Sequence, residues 1–111
     1  MKLAIIGSRT LTQVSIEAYI PHNVSEIVSG AARGIDTLAK NYAEKNAIPL
    51  IEFRPQYDRY GRAAPLKRNE EIAAYADEAL VFWDGKSKGT EYTIELFKKR
   101  QKKVTVILFP V

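Results

Sequence analysis

The chain has 111 residues, of which 46% are hydrophobic and 27% charged, and it carries a net charge of +4. That length suits one domain, residues 1–111, with a modest core and no room for a second, and the balance is that of a folded, soluble protein rather than a disordered or fibrous one. With no cysteine, disulfides and thiolate metal ligands are excluded, which fits a reducing, cytoplasmic setting. The single histidine, His22, stands in the turn-like Pro21-His22-Asn23 and cannot by itself build a metal site, so none is expected. No apolar run reaches the length of a signal or membrane segment, so no membrane partner is expected. The basic balance favours a phosphate-bearing or polyanionic partner without choosing between a nucleotide and a nucleic acid.

In chain order, residues 3–6 are a short apolar run closed by Gly7, the pattern of a strand buried on both faces. A helix capped by Thr10 or Thr12 is expected to run to Ile20, where Pro21 prevents continuation. Residues 26–29 read as a second strand, closed by Gly30. Ile35, Leu38, Ala39, Tyr42 and Ala43 then recur at helical spacing, in a helix ending near Asn46. A third strand is expected at 48–53, followed by a polar, aromatic connection over 54–65 that is too irregular for a regular element and whose length points to function or disorder. A helix over 66–75, a strand over 79–83, a glycine-flanked loop, a helix over 90–100 and a strand over 104–109 complete the chain.

Strand and helix alternate, and each return to the sheet needs a helical crossover, which makes the strands parallel and the connections right-handed. The expected fold class is therefore α/β, a Rossmann-like three-layer sandwich around a five-stranded parallel sheet of order 3-2-1-4-5. In such sheets ligands bind beyond the carboxyl ends of the strands, where the strand order reverses. Gly7, Gly30 and Gly85 each follow a strand, and Gly7 and Gly85 are expected to face one cleft at that edge.

Three constellations could carry chemistry there. Gly7-Ser8-Arg9-Thr10 lies between a buried strand and an expected helix start, where free N–H groups and the helix dipole favour an anion; the plainer reading is a tight turn with a surface arginine. Ser29 and Gly30, followed by Ala31, Ala32, Arg33, Gly34, Ile35 and Asp36, form a small-residue loop that lets backbone approach a ligand. Asp36 is suited to a ribose hydroxyl, but first-turn capping is the favoured role. This loop lacks the glycine spacing of the dinucleotide fingerprint, and no acidic residue closes strand three where that fingerprint needs one, so a nicotinamide dehydrogenase is not expected. In the third constellation, Arg68 and Asn69 precede strand four, Trp83, Asp84 and Gly85 end it, and Ser87, Gly89 and Thr90 offer N–H groups, hydroxyls and a positive helix end for a phosphate. Trp83 reads equally as the flank of a bound base or as core.

Taken together, these residues resemble the SLOG superfamily in its small YspA/YpsA-related branch. Its pattern runs GSR after strand one, SG-x-A-R-G-x-D after strand two, an RN pair, and FWDG-x-S-x-GT after strand four. The matching residues span nearly the whole chain, and Ala31 stands where glycine is expected. The resemblance implies a nucleotide-type ligand such as AMP, ADP-ribose or an NAD-like molecule, no required cofactor and a possible homodimer. Relatives include the LOG phosphoribohydrolases and the DNA-processing protein DprA, so hydrolysis of a nucleoside 5′-monophosphate and single-stranded nucleic-acid binding stand as alternatives. LOG enzymes carry an arginine nine residues before an aspartate ahead of strand four, a spacing that Arg68 and Asp77 reproduce, which makes Arg68 a phosphate or ribose contact by resemblance. They also carry glutamates two and three residues after the Gly-Thr pair, where this chain has Tyr92 and Thr93. Loss of that carboxylate removes a stabiliser of oxocarbenium character. Arg68 and Glu91 remain the catalytic candidates, with Glu95 behind them, although a shift of one residue turns a helical side chain by about 100°.

Two basic segments complete the inventory. The 53–68 stretch mixes Tyr57 and Tyr60 with Arg54, Arg59, Arg62, Lys67 and Arg68, a composition suited to stacking bases and equally to a solvated loop held by buried tyrosines. The run of Lys98, Lys99, Arg100, Lys102 and Lys103 is read as cations complementing a helix C-terminus, so nucleic-acid binding is expected to be weak or absent.

Overall fold

Successive residues of a strand point to opposite faces of its sheet, and the central strands use both faces for apolar side chains. In β1 (Lys2–Gly7), Leu3 and Ile5 pack into one core cluster and Ala4 into the other; in β4 (Glu78–Trp83), Leu80 and Phe82 join the first, and Ala79 and Val81 the second. β2 (Glu26–Ser29) divides Ile27 and Val28 in the same way. Strands buried on both faces belong between two helical layers, and a computed structural model, described here over residues 1–31 and 33–109, has that arrangement. With β3 (Leu50–Glu52) and β5 (Lys103–Leu108), the sheet is five-stranded, wholly parallel and ordered β3-β2-β1-β4-β5. This is the α/β, Rossmann-like layout and strand order that the alternation implied.

One face is covered by α1 (Ile35–Lys45), through Ile35, Ala39 and Ala43, together with Leu11, Ile16 and Ile20 from the connection after β1. The other is covered by α3 (Ala64–Tyr75), through Ile72 and Ala73, and by α4 (Lys88–Lys99), through Ile94 and Phe97. Phe82 and Phe97 are the largest fully buried side chains, one in each cluster. No helix among the described residues is long and apolar enough to cross a membrane.

Two connections differ from the sequence expectation. The helix expected from Thr10 or Thr12 to Ile20 is absent; only a 3₁₀ turn, Glu17–Tyr19, forms there. Thr12, Val14 and Ile16 are β-branched and lose rotamer freedom in a helix. The anchors Leu11 and Ile16, moreover, would stand about 140° apart around a helix axis, whereas the irregular path taken buries both. The 54–65 connection, expected to be irregular, instead contains the short helix α2 (Tyr57–Tyr60) and a 3₁₀ turn, Gly61–Ala63. α3 then starts at Ala64, with Pro65 in its first turn, where a missing N–H costs nothing.

The basic run after α4 is also not one exposed strip. Lys102 turns inward, and its Nζ donates to the carbonyls of Ala73, Ala74 and Ala76 at 2.7, 3.1 and 2.7 Å. It therefore complements a helix C-terminus as expected, but that of α3 rather than of the helix it follows. Withdrawal from solvent, reinforced by Arg100, pushes its ammonium below the usual lysine value. Lys98 is engaged with Glu95 at 3.8 Å.

α1 and α4 end in the same motif. Ile48 N–H reaches Ala43 and Ala47 N–H reaches Glu44 at the first; Lys102 N–H reaches Phe97 and Gln101 N–H reaches Lys98 at the second. This pattern places one residue in left-handed backbone, normally glycine, yet here those residues are Ala47 (φ 54°) and Gln101 (φ 58°). A Cβ in that region costs on the order of 1 kcal/mol. Ala47→Gly and Gln101→Gly are each expected to stabilise the protein by about that amount, read as a raised urea midpoint with an unchanged slope; a lowered midpoint would contradict the assignment.

Candidate functional site

β1 and β4 lie side by side, with Gly7 in register with Phe82, but beyond these residues the chain leaves toward opposite faces. The two departing loops are tied together. Ser8 N–H donates to the Phe82 carbonyl (3.0 Å), and Ser8 Oγ accepts from Asp84 N–H (3.1 Å). The Asp84 carboxylate accepts from the N–H groups of Ser87 (2.8 Å) and Lys86 (2.9 Å) and from the Thr10 hydroxyl (3.1 Å). These donors, the two N–H groups foremost, hold its pKa below the usual carboxylate range. Ser8 and Asp84 are both buried, so their polar atoms serve this joint.

The joint sets the start of α4. Ser87 is its N-cap, with Oγ accepting from Thr90 N–H (3.4 Å) and from the Thr90 hydroxyl (3.1 Å). The helix therefore begins at Lys88, two residues earlier than expected, and Gly89 and Thr90 lie in its first turn. The N–H groups of Lys88 and Gly89 have no acceptor within the helix.

Arg68 reaches the same edge from α3. Its guanidinium donates from Nε to Asn69 Oδ1 (2.8 Å) and from one terminal nitrogen to the carbonyl of Gly30. Both acceptors are neutral. A Cβ at residue 30 would meet the guanidinium at 2.6 Å, so a larger residue there would displace the Arg68 side chain from this position. Gly7 is fixed for a different reason: a Cβ would stand 2.2 Å from Ile35 Cγ1, so glycine lets the start of α1 lie directly on β1. Burial pulls the Arg68 pKa down, and nearby Asp36 and Tyr57 oppose it. Asp36 itself is buried in the first turn of α1, while the N-cap position is Gly34, which has no capping side chain.

These elements surround a cleft of about 570 Å³ at the carboxyl edge of the sheet, a size typical of small-molecule sites. Of the residues singled out in the sequence, Gly7, Arg9, Gly30, Asp36, Arg68, Asn69, Ser87, Gly89 and Thr90 line it. Ser8, Ser29, Arg33, Gly34, Trp83, Asp84 and Gly85 are outside the lining. Ser29 Oγ accepts from Ala31 N–H (3.2 Å), and Trp83 donates its indole N–H to the Ser87 carbonyl (3.0 Å), so each supports a loop. Arg33 is exposed to solvent and Gly34 lies buried beneath the carbonyls of Arg9 and Leu11. Contrary to the expectation of a shared cleft with Gly7, Gly85 looks toward Leu108 of β5. Ala32, within the second constellation, is outside the described residues. Sequence reading did not anticipate Ile6, Pro55, Pro65, Leu66 and Ile72 in the lining. The apolar ones at 55–66 carried no motif, and only the composition of their segment marked it.

The model of the YspA, cpYpsA-related SLOG family matches residues 1–60, just over half of the chain. The chain belongs to that family. No match was found among curated proteins or solved structures. The SLOG match takes in the first two constellations, whereas Arg68, Asn69 and the start of α4 lie beyond it and reach the cleft through the fold. Ala31, where the sequence reading expected glycine, has φ 58° and lines the cleft, so it holds left-handed backbone that glycine adopts more readily.

The two LOG-derived comparisons resolve geometrically. Asp77 is at the amino end of the sheet, where its N–H donates to the Lys2 carbonyl and its carboxylate accepts from Lys2 N–H, both at 2.8 Å. The spacing of nine residues therefore carries the chain from the cleft back along α3 and does not bring Asp77 to Arg68. At the glutamate positions, Thr93 lines the cleft and donates its hydroxyl to the Gly89 carbonyl (2.9 Å), while Tyr92, Glu91 and Glu95 are exposed and outside the lining. Among the described residues, no group of three or more His, Cys, Asp or Glu side chains is placed to hold a metal.

Because its folded pKa is depressed, Asp84 contributes stability that is present above the pKa of the unfolded carboxyl and lost as pH falls through the lower folded value. Asp84→Asn is expected to lower the melting temperature at neutral pH, and the gap from wild type should shrink on acidification. A gap independent of pH would show that the carboxylate charge does not hold the joint.

Proposed function

We propose that this cleft binds a phosphate-bearing nucleotide or nucleotide derivative of the AMP, ADP-ribose or NAD-like kind. The observation that carries the reading is the placement of the Arg68 guanidinium, engaged by neutral acceptors, on the wall of a cleft that also holds Arg9 and the first turn of α4. A phosphate entering there exchanges a neutral acceptor for a dianion, and charge-assisted hydrogen bonds are about twice as strong as neutral ones. The N–H groups of Lys88 and Gly89 and the positive end of the α4 dipole act on the same group. Asp36, on the same wall, is suited to accept from a ribose hydroxyl. Membership of the SLOG family supports a ligand of this class.

Binding is favoured over hydrolysis because, of the two positions where the LOG enzymes carry glutamates, the one that lines the cleft is Thr93, a hydroxyl already donating to its own helix. It is favoured over nucleic-acid binding because Lys102 is withdrawn from the basic run and Lys98 is paired.

AMP or ADP-ribose is expected to raise the melting temperature by mass action, and Arg68→Ala to weaken binding by about 10- to 100-fold; equal shifts in wild type and variant would remove Arg68 from the site. Nucleoside monophosphates should release little free base over hours, and rapid release dependent on Arg68 would restore the hydrolase reading. Nucleotide binding is expected to persist at physiological salt, where an oligonucleotide held by surface lysines would be lost through counterion competition. Tight oligonucleotide binding under those conditions, abolished by glutamine at the outward-facing Lys98, Lys99, Arg100 and Lys103, would overturn it.

A further inference from the structure

We infer that the connection between β3 and α3 selects the ligand: Tyr57, flanked by Pro55, Pro65 and Leu66, is a shelf that takes a planar aromatic base at the mouth of the cleft. This inference rests on the phosphate reading above and goes beyond it by assigning what the phosphate is attached to.

The cleft lining is chemically mixed. Its charged and polar side chains come from Arg9, Asp36, Arg68, Asn69 and the start of α4, and besides Ile6 and Ile72 its large apolar side chains, Pro55, Tyr57, Pro65 and Leu66, come from one continuous piece of chain, residues 55–66. Within that piece Tyr57 is 59% exposed and Leu66 44%. Single exposed apolar side chains on a convex surface need no explanation, but two on the rim of one concavity constitute an apolar surface without a covering. The other tyrosine of the segment behaves differently. Tyr60 is half-buried, carries Arg59 against its ring at 5.1 Å and is outside the cleft lining. Arg54 is turned to Glu52 at 3.2 Å. The composition that suited base stacking along the whole segment is therefore concentrated by the fold on one ring.

The shelf is built to be stiff. Pro55 and Pro65 fix φ near both ends of the segment, and the N–H groups of Arg59 and Tyr60 close α2 onto the Gln56 carbonyl at 3.1 and 3.0 Å. A preorganised ring loses little freedom when a base settles on it. Tyr57 and Arg68 line the same cleft, which puts the stacking surface and the phosphate-directed group in one site, as a nucleotide requires. A bare sugar phosphate engages the polar wall and leaves the shelf empty.

The test compares AMP with ribose 5-phosphate, by calorimetry and by mutual competition, on wild type, Tyr57→Ala and Tyr57→Phe. Base stacking on an aromatic side chain predicts that Tyr57→Ala weakens AMP by about 5- to 100-fold, with ribose 5-phosphate held within about twofold and Tyr57→Phe close to wild type. The exposure of Tyr57 keeps the alanine variant folded, which its melting temperature verifies. An equal loss for both ligands, no loss for either, or a phenylalanine variant as weak as alanine overturns the shelf while leaving the phosphate reading intact. A wild-type protein that binds neither ligand overturns both.

Discussion

The joint between the loops leaving β1 and β4 is the constraint on which the rest of the site depends. Two parallel strands that are neighbours in the sheet send their chains to opposite layers, and the gap opened between them is where such folds bind ligands. Left alone, that gap would expose unpaired backbone groups on both loops. Here Ser8 and Asp84 close its floor: one hydroxyl accepts from the opposite loop, and one carboxylate gathers two N–H groups and the Thr10 hydroxyl. One of those N–H groups belongs to Ser87, the N-cap of α4, so the same carboxylate that joins the loops orients the helix whose first turn lines the cleft. Residues that sequence motifs mark as binding residues thus divide into those that face the cleft and those that hold its floor.

The sheet was legible because its information is local and repeated. Short apolar runs closed by glycine, with helical periodicity between them, admit few arrangements other than a parallel sheet of the observed order. The 8–20 connection was not legible because its polar and β-branched residues suggest a cap and a stop, whereas its path is decided by where Leu11, Ile16 and Ile20 find the sheet. α2 was hidden for the opposite reason: a four-residue helix has no period to detect, and its shape comes from two prolines and one carbonyl. At the site, Arg68 and the residues around Ser87, Gly89 and Thr90 could be read as partners from motif alone. That Gly85 faces Leu108, that Asp84 is consumed by backbone, and that Lys102 serves α3 are long-range facts which no spacing encodes.

Of the two residues that reproduce the LOG spacing, Arg68 lines the cleft and Asp77 lies at the amino end of the sheet. Arg68 and Asp77 reproduce a separation, but α3 runs back along the sheet, and its two ends serve opposite edges. One residue earlier or later in α4 is likewise a different direction: Thr93 faces the cleft and Glu91 faces solvent, although both stand within one turn of the Gly-Thr pair. SLOG membership leaves the chemistry of the wall to this chain's own residues.

The steric demand at Gly7 has a consequence for how this protein could diversify. With Ile35 seated directly on β1, the start of α1 and the strand cannot shift independently, and the two loops beside them are locked through Ser8 and Asp84. That half of the pocket behaves as an inherited chassis, intolerant of substitution. The 54–66 connection touches none of those contacts, enters from an edge strand of three residues and is anchored by the buried Ala64 at the start of α3. Its mostly exposed part, residues 56–62, can be lengthened, shortened or rewritten without disturbing the sheet, so descendants of this fold would be expected to differ chiefly through exchange of that one cassette.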